Sequence, residues 1–521
     1  MSKTTRFIVL IASIVALGGL LMGFDASVIS GVVKFIEIEF NLTKLELGWS
    51  VSSLTLTSTL AMLAAGPISD KYGRRYTLKW AAMFFLVSAV LSAIAPNFIF
   101  LVFARMLGGF GVGAALIIAP MYIAEVSPAT LRGTMVSFNQ LNIVVGISVA
   151  FFTNYLILSL GDSEATWVES LGINKYNWRW MLGLETLPAL FYFLALFVVP
   201  RSPRWLLMHG KEQDAVKVFN KVNPDPEAIQ RQIQAVKESL STSTEKVKQY
   251  SMKDLLRPAL ALVMTIGVVV GILQQITGIN SVFFYAPMIF EQTGIGTDAA
   301  FIQAILVGLT NLVFTVLAML TIDKLGRKPL LSIGVLGIAG SMFLLAYGFS
   351  QARYELKAFP LEGVPTEVSE KLEPIQGIVY DSDISFKAAI QEQLGREEAV
   401  VHETNIITAA ITANPMLILV GVLSFVAFFA MSLGPIMWVL FSELFPNYIR
   451  GLAISFVGFV NSMVSFTVQL VFPWELNTIG NVWTFVIYGL FALAGFIFVI
   501  KVLPETKGKS LEELEKQLVR D

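Results

Sequence analysis

A single carboxylate, Asp25, interrupts the apolar run "LLMGFDASVISG" at residues 20–31. Left ionised in a nonpolar medium it costs about 3 kcal/mol or more. It therefore requires a cationic partner, or it must take up and release a proton. Arg105, in "FIFLVFARMLGG", is a second lone charge in an apolar run. A different chemistry is written in "QQITGINSVFFYAP" at 274–287, where Gln274, Gln275 and Asn280 fall within seven residues of one another. Amides both donate and accept hydrogen bonds, so such a cluster suits a neutral polar ligand or ties one helix to another. Gly278 and Pro287 loosen the helix that carries it and free backbone groups. The chain has no cysteine and only two histidines, His209 and His402, both in polar segments. Disulfides, thiol catalysis and cysteine metal sites are thereby excluded, and no nucleophile–base or metal constellation of an enzyme is present.

The elements that position these residues are set by composition. Of 521 residues 55% are hydrophobic and 14% charged, and the mean hydropathy is +0.70. The apolar residues fall in blocks of bilayer length, which predicts an all-α membrane protein with twelve transmembrane helices. The expected spans are 7–33, 46–69, 76–95, 98–124, 134–159 and 180–199, then 259–290, 300–322, 329–349, 414–440, 450–473 and 482–502. Lys3 and Arg6 precede the first, but its apolar run is too long for a signal peptide, so it counts as a span. Polar stretches interrupt the series at 200–258 and 350–413. With the N-terminus inside, 27 of the 37 basic residues lie on the cytoplasmic side, which places both termini, and 200–258, inside a cell membrane. The 350–413 insert is then external; its eleven acidic and five basic residues show little periodicity, and a solvated, partly ordered loop is expected. A net charge of −1 gives no reason to expect a nucleic-acid partner. In this topology Asp25 and Arg105 each lie about eight residues from the outer ends of the first and fourth spans, so both are roughly 12 Å deep and can meet.

The chain also repeats itself. "DKYGRR" at 70–75 recurs as "DKLGRK" at 323–328, and "EVSPATLRG" at 125–133 recurs as "ELFPNYIRG" at 443–451. Two related six-helix halves, 1–199 and 259–502, follow, joined by short cytoplasmic helices in 200–258 and ending in a tail, 503–521. Parallel repeats with a site between them near the midplane are the architecture of rocking transporters. The repeated charges Asp70, Arg74, Arg75, Glu125 and Arg132, and then Asp323, Arg327, Glu443 and Arg450, stand at cytoplasmic helix ends. There they can latch the halves together in one conformation and release them in another; the plainer alternative is that they only set topology.

These motifs, together with "GPISDKYGRR", "PRSPRWLL", "GPIMWVLFSELFPNYIRG" and "PETKGKSLEELE", lie in order between the right spans along nearly the whole chain. The chain resembles the sugar porter family of the major facilitator superfamily, and most of all its bacterial sugar–proton symporters of the D-xylose type. The resemblance implies a monosaccharide importer that works as a monomer in the lipid bilayer, with no cofactor and with H+ as the coupling ion. A neutral polyol needs amides and an aromatic face. By resemblance these are Gln274, Gln275 and Asn280, with Gln140, Asn311, Gly434, Trp438 and Asn461. Asp25 would carry the proton, Arg105 would tune it and Glu185 would assist. Three positions depart from the pattern. A tyrosine pair is Phe284–Tyr285, a tryptophan of the eleventh span is Ser462, and an acid of the "PESPR" motif is Arg201. Two other readings use the same pocket, a passive facilitator with a purely structural Asp25–Arg105 pair and a non-transporting sugar sensor. Only about 19 residues follow the last span, which argues against the sensor.

Overall fold

The structure is a computed structural model that describes residues 3–222, 229–230, 233–234, 251–361, 363–446, 448–507, 509 and 511–518. Eleven of its helical segments are long and apolar enough to cross a membrane. They are Arg6–Gly31, Lys44–Tyr72, Arg74–Ala93, Phe98–Val126, Thr134–Gly161, Pro258–Glu291, Thr297–Ile322, Arg327–Ser350, Pro415–Leu444, Arg450–Thr478 and Gly480–Val502. The expected sixth span, 180–199, is present as two short helices, Asn177–Gly183 and Thr186–Ala195, with the break at Leu184–Glu185. Each piece alone is too short to cross a bilayer, and hydropathy cannot register a break that leaves the apolar run intact.

Two further spans are broken where the site residues lie. The seventh divides into Ala261–Ile276 and Ile279–Glu291. Gly278 between them has φ +89, which a residue with a Cβ rarely adopts. Tyr285, two residues before Pro287, also leaves helical geometry. The tenth divides into Pro415–Met431 and Leu433–Leu444 at Ser432. Broken helices free carbonyls at membrane depth, and those carbonyls need partners within the protein.

Contacts group the chain differently from the sequence repeat. One group holds 1–26, 53–150 and 182–251, and the other 27–52, 151–181 and 252–521. In the first group the first and fifth spans pack backbone to backbone. A Cβ on Gly23 would fall 2.0 Å from the Ile143 carbonyl oxygen, and one on Gly146 would fall 2.1 Å from that of Leu20. Small residues allow this approach, which places Asp25 against the interior of the bundle.

The 350–413 insert, expected to be a partly ordered loop, is a folded unit. Helices Thr366–Lys371, Asp383–Leu394 and Arg396–Ala410 and the paired strands Arg353–Tyr354 and Ile411–Thr412 enclose their own core. That core includes Leu356, Leu372, Phe386, Ile390 and Ile406, all at most 2% exposed. It is assembled from several short elements, so its apolar residues follow no single period along the chain. Its ion pairs are well made. Burial would raise the Glu403 carboxyl, but Lys387 and Lys44 beside it hold it at about 2. Arg396 donates to the Leu42 carbonyl at 3.0 Å, and Asn41 donates to Glu397 at 2.8 Å. The insert is thus bolted to the segment that joins the first and second spans, within the same contact group. Within 200–258, Pro203–Met208 and Glu212–Val222 are helical. Most of 223–250 lies outside the described residues.

Candidate functional site

Asp25 and Arg105 meet. Arg105 Nη1 is 3.5 Å from Asp25 Oδ1, and the two side chains are 1% and 3% exposed. This is an ion pair, but it is longer than the roughly 2.8 Å of a tight charge-assisted hydrogen bond. The other carboxylate oxygen, Asp25 Oδ2, is buried with no hydrogen-bond partner among the described residues. Glu185, at the break in the sixth span, is buried within electrostatic reach of both Asp25 and Arg105. Its Oε1 likewise lacks a partner among the described residues, as do Tyr192 Oη and Asn139 Oδ1. Two buried acids therefore share one guanidinium.

Residues that sequence reasoning did not single out shape this pocket. A Cβ on Gly108 would fall 2.6 Å from both Asp25 Oδ2 and Ser88 Oγ, so Gly108 makes the space the carboxylate occupies. Tyr192, fully buried on Thr186–Ala195, lies beside the pocket's helix at Gly18, where a Cβ would fall 2.7 Å from its hydroxyl. Gly108 is three residues after Arg105 on the same helix, a spacing that puts both on one face. That spacing was the available signal.

The amide cluster is the opposite kind of site. Gln274 donates to the Leu433 carbonyl at 3.1 Å and to that of Gly434 at 3.5 Å, at the start of the helix that follows the break in the tenth span. Asn461 donates to Gln274 Oε1 and to the Gly271 carbonyl, both at 2.8 Å. Gln275 donates to Gln274 Oε1 at 3.1 Å and to Asn461 Oδ1 at 3.3 Å. Asn280 donates to Gln275 Oε1 at 2.8 Å and to Ser465 Oγ at 2.7 Å. Gln469 extends the chain to Ser465 at 2.8 Å, and Tyr285 Oη donates to the Gln469 carbonyl at 3.0 Å. Ser465 and Gln469 were not anticipated. With Asn461 they form a four-residue polar periodicity along the eleventh span, which is the signal that would have found them. Gln275 and Asn280 remain partly exposed while Gln274 and Asn461 are buried. The network therefore has a fixed floor and an accessible rim.

The other expected binding residues are more scattered. Asn311 is buried on Thr297–Leu325. Trp438 is 46% exposed and meets Phe441 edge to face. Gln140 is an exposed residue of Thr134–Gly161.

The repeated helix-end charges form two clasps, each within one half. Arg74 donates to Glu125 at 3.1 and 3.2 Å and to Asp70 at 2.6 Å, and Ser202 donates to Glu125. In the second half Arg327 donates to Glu443 at 2.8 Å, and Thr506 donates to Glu443 at 2.6 Å. Two expected latch charges are used differently. Arg75 donates to the carbonyls of Leu196 and Phe197 at 3.2 and 2.6 Å, satisfying the end of the sixth span. Arg450 donates to the Phe445 carbonyl in its own turn at 3.0 Å. The side chains of Arg132 and Asp323 lie outside the described residues.

A twelve-segment helical chain with a repeated charged clasp and a polar cluster on broken helices defines a membrane transporter of the major facilitator fold. The chain belongs to the family described as "Sugar (and other) transporter", matched over residues 11–358 and 399–518. The unmatched stretch, 359–398, lies within the folded 350–413 insert. The D-xylose-proton symporter of Escherichia coli (strain K12) is 35% identical over 98% of this chain and 96% of that protein. The arabinose-proton symporter of Bacillus subtilis (strain 168) is 32% identical over 100% of this chain and 97% of its own length. Among solved structures, the inward open conformation of the xylose transporter XylE from E. coli is similar at a TM-score of 0.74 and 33% identity, covering 98% of this chain and 100% of that one. The protein is a transporter of this family and not an enzyme.

Proposed function

We propose that the chain is a proton-coupled importer of a monosaccharide, a pentose or hexose, in the plasma membrane with both termini cytoplasmic. The observation that carries the reading is the Asp25 carboxylate. It is 2% exposed, held by one long ion pair and close to a second buried acid. A carboxylate with one orphan oxygen in such a place is poised between charged and neutral forms, because burial favours the neutral form and Arg105 the charged one. Small movements of the first span against the fourth change which wins. Two proton symporters of sugars among the relatives support the same reading.

In this reading Gln274, Gln275, Asn280 and Asn461 bind sugar hydroxyls, with Gln140, Asn311, Gly434 and the indole of Trp438 completing the site between the six-helix halves. The sugar borrows amide hydrogen bonds that otherwise satisfy one another, so binding costs little desolvation of unpaired groups. The two clasps, Arg74–Glu125 and Arg327–Glu443, rigidify the cytoplasmic ends of the halves, which then rock about the sugar as units. Lys34–Glu291, at 2.8 Å, is one of the outer-side contacts that such rocking must break. The monomer suffices, and the proton is the only coupling ion.

The test is uptake into proteoliposomes across a panel of pentoses and hexoses, with and without an imposed inward proton gradient. Accumulation above the external concentration with the gradient, and equilibration without it, is expected. Equal uptake under both conditions defeats coupling and leaves a passive facilitator. Binding without flux points instead to a sensor.

A further inference from the structure

The two cytoplasmic clasps differ at one position. In the second half Glu505 accepts the backbone N–H groups of Arg327 and Lys328, both at 3.1 Å, at the start of Arg327–Ser350. Burial works against its charge, but hydrogen bonds from Lys507, Arg327, Lys328 and Thr506 hold the carboxyl below the usual carboxylate range. Pro200-Arg201-Ser202 in the first half corresponds to Pro504-Glu505-Thr506 in the second, since Ser202 and Thr506 make the same bond to Glu125 and Glu443. The counterpart of Glu505 is therefore Arg201. A carboxylate has been replaced by a cation beside the equivalent helix start.

The result is a basic cavity. A half-open cavity of about 250 Å³ lies at the start of Arg74–Ala93, with Arg75, Lys79 and Arg201 on its walls. Arg74 also borders it but is neutralised by Asp70 and Glu125. The other three cations have no carboxylate partner among the described residues. Arg75 bonds helix carbonyls, Lys79 Nζ lies 3.4 Å from the Phe197 ring centroid, and the Arg201 guanidinium lies 5.7 Å from that of Trp205. Three like charges around one small cavity repel unless an anion joins them.

The surroundings indicate where that anion comes from. Tyr76, Trp80, Phe197 and Val198 flank the cavity and are 46%, 48%, 53% and 70% exposed, an apolar face at the end of the spans. On the orientation proposed above, this is the cytoplasmic edge of the bilayer.

We propose that the cavity framed by Arg75, Lys79 and Arg201 binds a phosphate-bearing anion in the place that Glu505 fills in the second half. The phosphodiester of an anionic inner-leaflet phospholipid fits both features. Its headgroup meets guanidinium forks suited to phosphate, and its chains lie on the apolar flank. Free phosphate offers the same chemistry without the chains. The bound anion ties the start of Arg74–Ala93 to the 200–205 segment, next to the Arg74–Glu125 clasp.

Binding decides the matter independently of transport. Purified full-length protein is compared with Arg201→Glu and Arg201→Gln by native mass spectrometry and thermal unfolding. Each is measured with phosphatidylglycerol, phosphatidylcholine or inorganic phosphate added. The wild type is expected to retain phosphatidylglycerol and to melt higher with it than with phosphatidylcholine. Arg201→Glu supplies the carboxylate internally, so its retention falls about tenfold or more, from the loss of a charge-assisted contact, and its melting no longer depends on anionic lipid. If inorganic phosphate stabilises the wild type as well as phosphatidylglycerol does, and Arg201→Glu abolishes that too, the anion site stands with a soluble occupant. Equal retention by the wild type and both variants overturns the proposal, as does a wild type that responds to neither anion. Should Arg201→Glu fail to fold, Arg201→Gln decides by the same criterion.

Discussion

The charged cluster around Asp25 and the amide cluster around Asn461 are both buried and polar, yet they are built from opposite materials. Around Asp25, two carboxylates compete for one guanidinium, and the buried oxygens Asp25 Oδ2 and Glu185 Oε1 have no hydrogen-bond partner among the described residues. Around Asn461, each of four amide side chains donates to another amide, a hydroxyl or a backbone carbonyl. Unsatisfied groups in a dry pocket respond strongly to a proton, because its arrival changes both charge and hydrogen-bonding capacity. A satisfied neutral network does not respond to pH, but it can exchange one hydroxyl for another at little cost. On the proposed function, the difference puts coupling and recognition on separate chemistry, so each should be open to damage without the other.

The largest expected effect follows from removing the titratable acid. A proton driving force of 100 mV is worth about 2.3 kcal/mol, equivalent to roughly fiftyfold sugar accumulation. Asp25→Asn should reduce that ratio to one while sugar exchange across preloaded vesicles continues. If the variant still concentrates sugar against its gradient, the charged cluster is merely structural. Asn461→Ala should do the reverse. It removes the Asn461 donor from Gln274 Oε1 and the Gly271 carbonyl, so sugar affinity should fall about tenfold, the cost of a buried hydrogen-bonding side chain. Protons moved per sugar, read from pH changes in lightly buffered vesicles, should not alter. A changed stoichiometry would show that the two clusters are not separable. The smallest effect is expected from Tyr192→Phe. Its buried hydroxyl has no partner among the described residues, so its loss should change thermal stability and coupled uptake by less than about twofold in equilibrium terms. A large loss of coupling would instead make Tyr192 a stop on the proton path.

Much of this was legible in the chain. Asp25 and Arg105 are lone charges in apolar runs, and rise per residue alone put them at one depth. The amides of the seventh span stand beside Gly278, and the helix does break there. Other features left no local trace. Ser465, Gln469 and Gly108 are ordinary residues whose roles come from what lies across from them. Arg75 read as a latch charge because it follows Arg74, but one position of helical rotation turns it to the carbonyls of the sixth span. The external insert read as loop because its core is shared among short segments.

The sequence by itself determined the number and order of apolar segments, the repeat of the cytoplasmic motifs, and the presence of a few charges that hydrocarbon would not tolerate unaided. Those are properties of hydropathy and spacing, which act along the chain. Tertiary structure alone decided which groups are satisfied. A hydrogen bond needs its partner within about 3 Å, and those partners come from residues as distant in sequence as Gln274 and Asn461 or Asp25 and Arg105. Only packing could leave Asp25 half-paired, satisfy the amides, and set Arg201 where the other half of the molecule holds a carboxylate.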